Sequence, residues 1–188
     1  MERNSILIGA ALLIIGLVIG YSFSSSSRGY HTMPSGQMMS QNIDQHFIVE
    51  MVPHHEGAIA MSKIALERSK RPEILSLAKN IIESQQKEID DMQSWYQSWF
   101  GAVTPEGGMG GMHMGGMEGD VDVLNSISTA DFDKEFVTQM IPHHEMAIMM
   151  AQMLQASTER PEMKQLAQNI ITSQSREIEM MRSWVKAW

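Results

Sequence analysis

No cysteine occurs among the 188 residues of this chain. Disulfides and thiolate metal sites are therefore excluded, and nothing in the chain is harmed by an oxidising compartment. Basic residues are also scarce: 14 Lys and Arg stand against 22 Asp and Glu, for a net charge of −8. A phosphate-backbone partner needs a basic face, so nucleic acid is not an expected ligand, whereas cations are compatible with this balance. Enzyme signatures are missing too. No histidine lies three residues after a glutamate, which removes the Glu-x-x-His pattern of di-iron carboxylate bundles. His-Glu-x-x-His is absent, as are a phosphate loop and a nucleophile elbow. The chain is accordingly not expected to be an enzyme. Charged residues make up 19% and hydrophobic ones 43%, a composition able to bury a core.

Methionine is what the chain has in excess, at 19 residues. A flexible thioether fills irregular cores, and composition alone does not separate that use from metal ligation.

Residues 44–99 align without a gap on 133–188, with 26 identities in 56 positions. Such a long period in two copies marks a duplicated supersecondary unit and not a solenoid. Each copy reads as two helices. Phe47, Met51, His54, Ala58, Met61 and Ala65 recur at helical spacing, and Ile74, Leu77, Ala78, Ile81, Ile89, Met92, Trp95 and Trp99 do so after a break at Arg71-Pro72. The second copy repeats this with a break at Arg160-Pro161. Proline suits the first helical position and disfavours helix in the residue before it. Two hairpins with one apolar face each bury those faces together. The expected fold is all-α, a four-helix bundle of roughly 120 residues built from two duplicated hairpins and preceded by an N-terminal apolar helix. Pro53 and Pro142 are expected to bend the first helix of each copy, which is read as starting near Asp44 and Asp133.

The expected organisation is a signal anchor or signal peptide at 1–23, a Ser- and Met-rich flexible tether at 24–43, the first hairpin at 44–100, a Gly- and Met-rich linker at 101–129 and the second hairpin at 130–188. Ile6 to Ile19 is apolar throughout, and Tyr21 and Phe23 follow it. As a helix, 5–23 spans roughly 28 Å, close to a bilayer core. No clear cleavage site follows it, which favours an uncleaved anchor over a removed signal. Either way the remainder is expected on the periplasmic or other extracytoplasmic side, anchored to the membrane, or secreted if cleaved.

Met51-Val-Pro-His-His-Glu and Met140-Ile-Pro-His-His-Glu set adjacent histidines into apolar helices. Met51 sits one turn before His54 and His55, and Met140 one turn before His143 and His144. Folding each hairpin about its break brings Met92 towards Met51 and Met181 towards Met140, with Glu88 and Glu177 able to orient a ring. The linker adds Met109, Met112, His113, Met114 and Met117 on a glycine-rich stretch where core filling does not apply. Thioether plus imidazole without thiolate favours Cu(I), with Ag(I) as its mimic, and imidazole can also take Cu(II). Copper, and a transporter or other copper protein that exchanges it, are the expected partners. The alternative is a metal-free envelope bundle in which His-His-Glu forms a buried polar network. The four tryptophans are read as packing.

These motifs, M-[VI]-P-H-H-E-x-A-I-x-M, then R-P-E, A-x-N-I-I-x-S-Q and E-I-x-x-M-x-S-W, resemble family 305 of the domains of unknown function across both copies. The resemblance implies a ferritin-like four-helix bundle in bacterial extracytoplasmic proteins. Its duplicated, methionine-rich members are similar to periplasmic copper-binding proteins of cyanobacteria that protect against excess copper. It implies Met51, His54, His55 and Met61 as one ligand set, and Met140, His143, His144 and Met150 as the other. Gly57 against Met146, and Ala60 against Met149, make the second copy richer in sulfur.

Overall fold

The computed structural model of the chain describes residues 35–105 and 120–188, with side chains described from Ile43 onward in the first helix. The apolar segment 1–23, the tether up to Pro34 and the linker residues Met109, Met112, His113, Met114 and Met117 lie outside the described residues. The described residues form helices α1 (Ser35–Arg68), α2 (Pro72–Phe100), α3 (Val121–Ser126), α4 (Phe132–Ser157) and α5 (Pro161–Ala187). Among them no helix is long and apolar enough to cross a membrane.

The duplicated hairpins are α1–α2 and α4–α5, broken where the sequence places the breaks. Arg71 and Arg160 leave the helical region, with ψ of 121° and 124°, and a proline opens the next helix each time. Ser69 and Thr158 close these turns alike, their hydroxyl oxygens accepting from the N–H of Arg71 and Arg160 at 3.1 Å. At the end of α2, Gly101 takes φ 68°, a left-handed C-cap open to glycine at no steric cost, and donates to the Gln97 carbonyl at 3.0 Å.

Two features depart from the sequence reading, the start of α1 and a helix within the linker. Helix α1 begins nine residues before Asp44, inside the stretch read as tether. Gln37, Met38, Met39 and Gln41 are good helix formers with no proline among them, and they outweigh the Ser and Gly around them. As expected, helices α1 and α4 each run on through their internal proline, Pro53 and Pro142. The missing N–H leaves the carbonyls of Val49 and Thr138 without their i+4 donors, and tertiary packing on both sides keeps the helix going. The linker region also contains α3, capped by Asp120, whose carboxylate accepts from the Val123 N–H at 2.9 Å. Leu124 is fully buried, and Arg68 ties α3 down by donating to the carbonyls of Leu124 and Ile127.

Two apolar clusters form the core, and all four long helices feed both. One joins Phe47, Met51 and Val52 of α1 to Ile89 and Met92 of α2, Ala151 and Leu154 of α4, and Leu166 and Ile170 of α5. The other joins Met61 and Ala65 to Ile74 and Ile81, Phe136 and Met140, and Ile178 and Met181, with Leu124 closing it. The N-terminal part of α1 thus packs with the C-terminal part of α4, and the reverse holds at the other end, so α1 and α4 run antiparallel through the middle.

Two clasps tie one repeat to the other. Arg160 Nε lies 3.2 Å from Asp44 Oδ2, with its guanidinium 4.0 Å over Trp99. Arg71 Nε lies 3.2 Å from Asp133 Oδ2, with its guanidinium 4.4 Å over Trp188. Asp44 is fully buried, and burial raises its pKa above the usual carboxylate value despite Thr158 and Arg160. A raised carboxylate pKa favours the protonated folded state, so this contribution is present at acid pH and lost as pH rises through the folded pKa. Asp44→Asn is therefore expected to melt higher than wild type at pH 7, with the gap closing on acidification. A gap that widens towards acid pH would contradict the assignment.

Candidate metal centre

A polar layer separates the two apolar clusters. It is made by the paired histidines, each held on a helix whose other buried positions are mostly apolar. Adjacent helical residues point about 100° apart, so one ring of each pair faces the partner helix of its own hairpin and the other faces the opposite repeat. His55 Nε2 meets Glu88 Oε2 at 2.7 Å, and His144 Nε2 meets Glu177 Oε2 at 2.6 Å. His54 and His143 meet each other across the repeats, with ring centroids 3.8 Å apart and planes tilted by 42°. The within-pair centroid distances are 6.3 Å for His54–His55 and 6.2 Å for His143–His144. Four imidazoles therefore stand in a row across the middle of the bundle, with a carboxylate at each end.

All four rings are buried, at 0 to 4% exposure. A carboxylate oxygen accepts, so Nε2 of His55 and of His144 carries the proton in that bond, and in the neutral ring Nδ1 presents its lone pair. Both Nδ1 atoms are buried without a hydrogen-bond partner, as are both ring nitrogens of His54 and both of His143. Six buried imidazole nitrogens thus stand unpaired, together with the side-chain carbonyl oxygens of Gln85 and Gln174. Leaving such a group unpaired costs roughly 1–3 kcal/mol. Burial, and then the neighbouring His55 and His144, push the pKa of His54 down to about 3. Burial pushes His143 well below its usual value in the same way. Both central rings are neutral at pH 7, the state in which imidazole ligates a metal.

The register that pairs His55 with Glu88 puts Met51 and Met92 level, each four residues further on. The pairing of His144 with Glu177 does the same for Met140 and Met181. All four methionines are fully buried. The hairpin arithmetic from sequence thus matches the observed register. Met51 and Met61 of the first implied ligand set lie in different apolar clusters, as do Met140 and Met150 of the second. Met61 and Met51 are ten residues apart on one helix, roughly 15 Å along its axis, too far for one ion to share. Met61 packs in the cluster of Met140 and Met181, and half-buried Met150 packs against the cluster of Met51 and Met92. Each apolar cluster therefore holds methionines of both repeats: Met51, Met92 and the half-buried Met150 in one, Met140, Met181 and Met61 in the other.

Among the described residues no group of three or more His, Asp or Glu is arranged to hold a metal ion. The donors at hand are paired imidazoles with thioethers on either side. The carboxylates of Glu88 and Glu177 act through the rings they fix, holding Nδ1 in place. Sequence reasoning had each hairpin gather its own site; the contact between His54 and His143 joins them.

The profile of the family described as Domain of unknown function (DUF305) matches residues 44–185. Among solved structures, CopM in its Cu(II)-bound form is 49% identical and superposes with a TM-score of 0.71, over 77% of this chain and 97% of CopM. CopM in its Cu(I)-bound form is 46% identical with a TM-score of 0.69, over 77% of this chain and 96% of that one. A DUF305 fragment from Deinococcus radiodurans is 27% identical, with a TM-score of 0.69 over 78% of this chain and 97% of the fragment. An uncharacterized protein, L153, of Acanthamoeba polyphaga mimivirus is 49% identical over 51 residues, which is 27% of this chain and only 34% of that protein.

Proposed function

The chain belongs to the DUF305 family, and from that premise we propose that it binds copper on the extracytoplasmic side of a membrane, to sequester the metal or hand it on. The observation that carries this is the row of four buried imidazoles with six unpaired nitrogens between two thioether groups. An apolar core tolerates such a row at a cost in stability, and a metal ion satisfies the lone pairs that nothing else reaches. In this reading His54, His143 and Nδ1 of His55 and of His144 supply nitrogen. Met51, Met92 and Met150 supply sulfur on one side, and Met140, Met181 and Met61 on the other. The mixed set suits Cu(I) and its mimic Ag(I), and the imidazoles alone suit Cu(II). CopM, similar over most of this chain, has been solved with Cu(II), with Cu(I) and with silver. The linker methionines and His113 offer a second, exchangeable store. Placement outside the cytoplasm rests on the apolar stretch Ile6–Ile19. An anchored protein of this kind has a copper transporter or another copper protein as its natural partner.

Competition for Cu(I) against a chromogenic chelator tests the site. A variant with His54, His143, Met51 and Met140 replaced by leucine is expected to bind fewer ions than wild type. Equal stoichiometry would move the binding to the linker. The metal-free alternative draws on the closed His55–Glu88 and His144–Glu177 bonds, which need no ion. It predicts one melting temperature with and without copper. Copper at about a thousand times its dissociation constant is expected to stabilise the fold by roughly 4 kcal/mol.

A further inference from the structure

Helix α4 carries Met146, Met149, Met150 and Met153, at the i, i+3, i+4 and i+7 spacing that shares one face. Met149 is 48% and Met153 58% exposed, whereas Met146 and Met150 are half-buried. Met150 packs against the cluster that holds the fully buried Met51 and Met92. The register set by His54 against His143 puts Met146 level with Met51, each three residues away. Sulfur therefore continues from the surface of α4 down to the core beside the histidine row.

The other repeat has no such face. Its equivalent positions are Gly57, Ala60, Met61 and Ile64, with one sulfur in place of four. None of them is exposed: Gly57 and Met61 are buried, and Ala60 and Ile64 are half-buried, Ile64 against the cluster that Leu124 of α3 closes. The two ends of the bundle, alike in their buried residues, differ at the surface. An exposed helix face ordinarily carries charged or amide side chains, which hydrate better than thioethers. Four methionines on one face of a single repeat are not needed for packing, since the other repeat folds the same way without three of them.

We infer that this face of α4 is the entry path for a soft monovalent cation. Met149 and Met153 capture the ion, and Met146 and Met150 pass it to Met51 and Met92. The movement is ligand exchange alone: a new sulfur–metal bond forms as an earlier one breaks, and the ion keeps its charge. Flexible unbranched side chains one turn apart let an ion reach the next sulfur before it leaves the last. The inference rests on the copper reading above, and it adds that loading is one-sided.

The test uses the full chain, isotopically labelled at its methionine methyl groups and titrated with Ag(I) as a redox-stable probe. The methyls of Met149 and Met153 are expected to shift at the first additions, followed by those of Met51 and Met92. In Met149→Leu/Met153→Leu the buried methyls reach the same end point roughly tenfold more slowly, because the captured ion's high local concentration is lost. Met149→Gln/Met153→Gln, which keeps the surface polar, is expected to show the same delay should the leucine variant aggregate. Loading at the wild-type rate in either variant overturns the path. So does an Ag(I)-silent Met149 and Met153 in a protein whose core fills, a result that leaves the face to a protein partner. A core that never fills while surface methyls shift overturns it as well. If no buried methyl moves and no ion is retained, the copper reading itself falls, a separate and recognisable outcome.

Discussion

His54→Leu/His143→Leu is expected to melt well above the wild-type protein when both are free of metal, and to lose most of its response to copper. The two rings touch at 3.8 Å, are at most 4% exposed, and carry four nitrogens without hydrogen-bond partners. Leucine is close to histidine in volume and has no polar atom, so it fills the layer without leaving a group unpaired. Removing these groups recovers about 2–4 kcal/mol if neighbouring groups do not shift. In a domain of this size each kcal/mol is worth roughly 2–4 °C, so a rise of about 5–15 °C follows. Alanine is the wrong probe, since it adds a cavity whose cost runs the other way. The measurement is thermal unfolding followed by circular dichroism, with a chelator present and then with copper added. A variant that melts below wild type without metal would show that the rings are satisfied in a way the geometry does not reveal, and would weaken the case for a ligand. A layer that destabilises the empty protein is what a binding site imposes on a fold.

The parts of this site that lie inside one hairpin were legible in the sequence. The break at Arg71-Pro72 fixes where the chain turns, and helical rise then sets which residues of α1 and α2 stand level. That was enough to bring Met92 towards Met51 and Glu88 towards His55. Nothing local fixes how the two hairpins sit on each other, because the linker between them is long. Hence the contact of His54 with His143, and the exchange of Met61 and Met150 between apolar clusters, were not readable. The clasps Asp44–Arg160 and Asp133–Arg71 escaped for the same reason. Their one signal was an opposite-charge pair of positions repeated in both copies. Composition misled at two boundaries. Ser35 to Asn42 reads as tether yet is helical, and Asp120–Ser126 reads as linker yet holds a capped turn that buries Leu124.

Acid is expected to unfold the wild-type protein in a way that the leucine variant escapes, while leaving copper affinity of the folded protein nearly level. Burial holds His54 at a pKa of about 3, against 6.5 for an unperturbed ring, and holds His143 well below 6.5. The unfolded chain binds these protons first. The pH-linked part of the folding stability is therefore whole above pH 6.5 and is lost as pH falls from there towards the folded values. At pH 4, His54 alone costs about 3 kcal/mol. His143 acts in the same direction, whereas the raised pKa of Asp44 acts in the opposite one. Urea unfolding between pH 7.5 and pH 4 is expected to show wild type losing several kcal/mol more than His54→Leu/His143→Leu; parallel pH profiles would refute the buried neutral state. The same depressed pKa keeps protons from competing for these nitrogens while the bundle stays folded. An ordinary ring would weaken a metal site roughly twenty-five-fold between pH 7 and pH 5, whereas a nitrogen held at about 3, as on His54, leaves it nearly unchanged. Copper competition titrations at pH 7 and pH 5 distinguish the two. A loss of that size excludes the buried central rings as ligands, whereas a level affinity is the result expected of neutral buried rings and of thioethers, which carry no competing proton.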